Sequence, residues 1–118
     1  MQLSFATDER DRLTCVMSDG RAEATIGVSG QSAALSALAE ALETTAATGS
    51  GECYWRQAGG EYRWVFRRAG EKVRIVVLWS AGTLTGWEHV FWSECDFEAF
   101  DGQVRKEVSG IRAASAGA

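Results

Sequence analysis

Residues 52–79 read ECYWRQAGGEYRWVFRRAGEKVRIVVLW, and this stretch decides the fold. Three segments alternate aromatic or aliphatic residues with polar, mostly basic ones, and two breaks, Gly59-Gly60 and Ala69-Gly70, separate them. A period of two belongs to a strand with one buried face and one wet face. With the breaks as turns, Trp55 lies across from Trp64, Cys53 and Val73 from Phe66, Ile75 from Trp64, and Val77 from Tyr62. Both hairpins then put Trp55, Tyr62, Trp64, Phe66, Val73, Ile75 and Val77 on one face, whereas a one-residue slip would scatter them.

The opposite face carries Tyr54, Arg56, Arg63, Val65, Arg67, Lys72, Arg74, Val76 and Leu78. In this register Arg56 faces Arg63, and like charges so placed are unfavourable unless an anion intervenes. Tyr54, Arg56, Arg63, Arg67 and Arg74 are therefore candidate binding residues for an anionic group. The simpler reading, and the favoured one, is internal neutralisation by Glu88 and Glu94, or by Glu61 and Glu71 at the turns.

Before the meander, residues 11–18 and 21–28 alternate around Asp19-Gly20, which reads as a hairpin with Met17 facing Ala22 and Leu13 facing Ile26. Leu3 and Phe5 suggest a first short strand. From Gln31 to Ala47 the period becomes helical, with Ala34, Leu35, Leu38, Ala39, Leu42 and Ala46 in one stripe and Ser29 as the expected N-cap. After the meander, residues 80–86 read as a loop and Trp87 to Ser93 as a strand, with Trp87, His89 and Phe91 on one face and Glu88, Val90 and Trp92 on the other. A last helix runs from about Asp96 to Ala114 on Phe97, Phe100, Val104, Val108 and Ile111, with Asp96 a candidate cap and residues 115–118 an expected frayed tail. The order β-β-β-α-β-β-β-β-α implies an α+β fold. The expectation is one mainly antiparallel sheet of about six to seven strands with both helices on one face.

The chain has 118 residues, the size of one domain, with 46% apolar and 24% charged residues. A net charge of −4 gives no reason to expect nucleic acid as a partner. No apolar run has membrane-spanning length, and the opening Met1-Gln2-Leu3-Ser4-Phe5 lacks the pattern of a secretory leader, so the expected location is the cytoplasm. Cys15, Cys53 and Cys95 are too scattered for a disulfide framework, and adding His89 gives none of the close ligand pairs typical of zinc. No metal or cofactor is expected. Gly27-Val28-Ser29-Gly30-Gln31 fails the nucleophile-elbow pattern at its last position and sits in the wrong strand context.

Five tryptophans are many for this length. Trp55 and Trp64 fit the core, while Trp79, Trp87 and Trp92 flank the 80–86 loop and include candidates for exposure. The composition and patterning suit a non-enzymatic binding protein of adaptor, inhibitor or immunity type. It would grip a protein partner or a second copy through the basic–aromatic face or the exposed tryptophans. The alternative is a small-molecule carrier with an apolar pocket lined by Trp55, Trp64, Phe66 and Phe91. Catalysis by His89 with a carboxylate ranks last.

Overall fold

The structure is a computed structural model that describes residues 1–57, 59–82 and 86–116. In chain order its elements are β1 (Gln2–Thr7), β2 (Arg12–Ser18), β3 (Glu23–Ser29), α1 (Gln31–Thr48), β4 (Ser50–Gln57), β5 (Gly60–Ala69), β6 (Lys72–Ser80), β7 (Glu88–Asp96) and α2 (Phe97–Ala116). The expected order holds, but the single sheet does not. The strands form two antiparallel sheets, β1-β2-β3 and β4-β5-β6-β7. Hairpins tie consecutive strands together, whereas alternation says nothing about what β3 does once the chain leaves it for a helix. The helices are not confined to one sheet: both touch the inner face of β4-β5-β6-β7, α1 at Gly51 and α2 through Phe100 on Phe66, and both also reach the three-stranded sheet. α1 packs on β4 and β5 and reaches β2, while α2 packs against β1, β7 and α1. One continuous core results, fed by both sheets and both helices.

The local chemistry explains the elements. Asp19 Oδ1 accepts the backbone N–H groups of Arg21 and Ala22, which organises the bend between β2 and β3. That bend is wider than a two-residue turn, so Met17 faces Ala24 rather than Ala22 and Cys15 faces Ile26. α1 starts from Gly30 in the left-handed region with no side-chain cap, so Ser29 is not its N-cap. Its buried stripe is Ala34, Leu35, Leu38, Ala41, Leu42 and Thr45, with Ala41 and Thr45 in place of the expected Ala39 and Ala46. Thr45 stays satisfied because its hydroxyl donates to Ala41 O at 2.7 Å. Asp96 does cap α2, accepting the N–H of Ala99 at 3.0 Å. Helical backbone continues through residues 115–116, and the rest of the expected frayed tail, 117–118, lies outside the described residues.

In the meander the faces come out as read and the pairing does not. Trp55 faces Tyr62, Cys53 faces Trp64, Phe66 faces Ile75, and Trp64 faces Val77. Each pairing is shifted by two residues, because the two ladders close at Gln57–Gly60 and at Ala69–Lys72. Gly59 takes φ 89°, a left-handed conformation that suits a tight bend and that glycine adopts without penalty. An even shift leaves every side chain on its own face. Trp55, Trp64, Phe66, Val73, Ile75 and Val77 are accordingly sealed from solvent, with Tyr62 half-buried beside them. The Trp55 indole donates to Ala34 O at 3.0 Å, tying β4 to α1. At Gly51, on the same inner face, α1 comes so close that a Cβ would run into Ala41 O and Thr45 Oγ1.

Candidate functional site

The outer face of the four-stranded sheet carries most of the expected site residues. In the observed register Tyr54 faces Arg63, Arg63 faces Leu78, and Leu78 faces His89. The next row is Glu52, Val65, Val76 and Trp92, and the one beyond is Ser50, Arg67, Arg74 and Glu94. A bulge between Val77 and Leu78 re-phases β7, which breaks the expected alternation. Phe91 remains inside, opposite Val77, while His89 moves to the outer face opposite Leu78. Trp87 lies just before β7, not within it. Of the expected loop, Ser80 belongs to β6, and residues 83–85 lie outside the described residues.

The Arg56–Arg63 juxtaposition is not found. Arg56 faces Glu61, with Nε 3.5 Å from a carboxylate oxygen. Arg63 binds Glu52 through Nη2 at 2.6 Å and Nε at 3.2 Å, and the Tyr54 hydroxyl donates to the other oxygen of Glu52 at 3.3 Å. The Arg63 guanidinium also lies over the Tyr54 ring at 5.9 Å and the Trp87 ring at 5.7 Å. Those rings approach each other at 6.3 Å between centroids. The bond from Arg63 holds the Glu52 carboxyl below its usual range, and the Glu52 carboxylate raises the Arg63 pKa. Arg74 has Glu94 at 3.7 Å. Three of the four expected arginines therefore have carboxylate neighbours on their own face.

Trp79 separates from the other candidates. It lies on the inner side at the sheet's end, half-buried and in tilted ring contact with Tyr62 at 4.7 Å between centroids. The remaining aromatics converge outward. Tyr54, Trp87 and Trp92 are 42%, 40% and 45% exposed and are the large apolar side chains most open to solvent among the described residues. All three belong to the outer face, around half-buried Val65, Val76 and Leu78. Sequence reasoning missed Glu52, which fixes both Arg63 and Tyr54. Its place two residues before Tyr54 on an alternating strand was the available signal.

Among the described residues no group of three or more His, Cys, Asp or Glu side chains converges as a metal site. Burial pushes the Cys53 thiol up to about 12 and raises that of Cys15 further, the opposite of what a nucleophile or metal ligand needs. No helix among the described residues is long and apolar enough to cross a membrane. No family model matches the chain, and no curated protein or solved structure does.

Proposed function

We propose that the chain is a non-enzymatic binding protein whose outer sheet face docks a protein partner. One observation carries this reading. The most exposed large aromatic side chains described, Tyr54, Trp87 and Trp92, share a single face with Val65, Val76 and Leu78. An apolar, aromatic centre edged by charged side chains is the anatomy of a protein interface. Arg63, held by Glu52 and by two rings, adds a rigid polar anchor of a type common at binding hot spots. The carrier alternative lacks a comparable feature. Trp55, Trp64, Phe66 and Phe91, its expected lining, are at most 1% exposed, so solvent does not reach them.

The test compares wild type, Trp92→Ala and Glu40→Ala, the last an exposed change on α1. A protein retained from native lysate by wild type and Glu40→Ala, lost by Trp92→Ala, and bound directly as a purified component supports the reading. Equal retention by all three overturns it. Sedimentation of wild type alone distinguishes a second copy of the chain as the partner.

A further inference from the structure

The observed register moves the like-charge pair instead of removing it. Arg67 lies directly across from Arg74 at the far end of the outer face. Arg74 has only the long contact to Glu94, and Arg67 makes no ion pair within 4 Å among the described residues. Both line a shallow concavity of about 280 Å³ with Ala69, Lys72 and Glu94, three cations against one carboxylate. Asp96, across from Lys72, is already engaged as the cap of α2. Like charges placed opposite each other in a ladder destabilise it, and an anion bridging them reverses the sign.

The neighbouring row is apolar from β5 to β7; its β4 end is Glu52, which feels the charge of Arg67 but is bonded to Arg63. Val65 faces Val76, and Val76 faces Trp92. A ligand reaching both rows must present a negative group beside an apolar one. Resting on the proposed docking role of this face, we infer that Arg67 and Arg74 together receive a carboxylate side chain of the protein partner, while its apolar neighbour covers Val76 and Trp92. The protein is acidic overall, with a net charge of −4, so this end of the sheet is a local exception that selects orientation and partner.

Two blocked synthetic peptides test this, one alternating glutamate with leucine and one alternating glutamine with leucine. Titration is followed at low salt by the Nε–H resonances of the arginines and the indole N–H of Trp92. Wild type should bind the glutamate peptide about tenfold more tightly than the glutamine peptide, the size of one charge-assisted bond. Arg67→Ala should abolish most of that preference, and Trp92→Ala should weaken both peptides alike. Equal binding of the two peptides, or a preference unchanged in Arg67→Ala, overturns the carboxylate site. The docking role of the face survives that result if Trp92→Ala still weakens both. Binding of neither peptide at millimolar concentration also overturns the carboxylate site, and the docking role is then judged by the lysate comparison.

Discussion

The two faces of the four-stranded sheet are made by alternate residues of the same strands, yet they meet opposite fates. On the inner side Trp64, Phe66, Val73, Ile75 and Val77 are fully buried. Trp64 packs at 5.0 Å from Trp55 and 6.0 Å from Phe66, and Phe66 meets Phe100 of α2 at 5.9 Å. On the outer side Tyr54 and Trp92 keep nearly half their surface in water, and Arg56, Arg63 and Arg74 find carboxylates across strands instead of beneath a helix. The difference lies in what covers each face, since both are rich in aromatic residues. Stability is concentrated on the covered face, and the uncovered one is free to be specified by binding.

The contrast breaks most sharply at Trp64. Trp64→Ala should cost about 3–5 kcal/mol in urea unfolding, enough to threaten the fold. Its indole N–H is buried with no acceptor among the described residues, so Trp64→Phe should cost clearly less. A Trp64→Ala protein as stable as wild type would show that the inner face is not the core. Gly51→Ala should follow, at about 1–3 kcal/mol, because the added methyl must push α1 off β4. An unchanged unfolding midpoint would show that α1 has slack there.

Cys53 sharpens the comparison by pH. Its thiol is raised from 9.0 to about 12 in the fold, so the folded state holds the proton more tightly than the unfolded chain. That contribution is complete below pH 9.0 and is lost as pH rises toward 12. The stability difference between wild type and Cys53→Ala should therefore move in favour of the variant above pH 9, by about 1.4 kcal/mol per pH unit. Parallel curves would mean the thiol is not buried. The smallest effects belong outside. Trp92→Ala should change stability by no more than about 0.5 kcal/mol and Glu52→Gln by about 1 kcal/mol or less, both read by thermal unfolding. A large loss from Trp92→Ala would make that residue part of the core and weaken the docking proposal.

What alternation encodes is parity, and parity was readable. Each meander residue assigned to the inner or outer face is found there, although the pairings in all three hairpins fall two residues away from the sequence reading. Absolute register depends on where each bend sits, and runs such as Ala58-Gly59-Gly60 offer neighbouring solutions of equal merit. That offset matters for the site, since it exchanges an Arg56–Arg63 pair for Arg56–Glu61 and Arg67–Arg74. The bulge in β7 was invisible for another reason. An extra residue on one strand has no signature in hydrophobic period, so His89 was assigned to the face of Phe91. The split into two sheets was equally hidden, because pairing across α1 is a tertiary outcome that no local pattern records.

Gly59 matters beyond the bend it occupies. Ribbons that can mate two positions out of step without uncovering a ring have competing states that oil–water partition does not separate. A backbone corner at φ 89° selects among them, favouring one alignment by its local geometry. The corner thereby also settles which arginine meets which carboxylate on the far side of the sheet, so the choice of surface chemistry is made by a residue with no side chain at all.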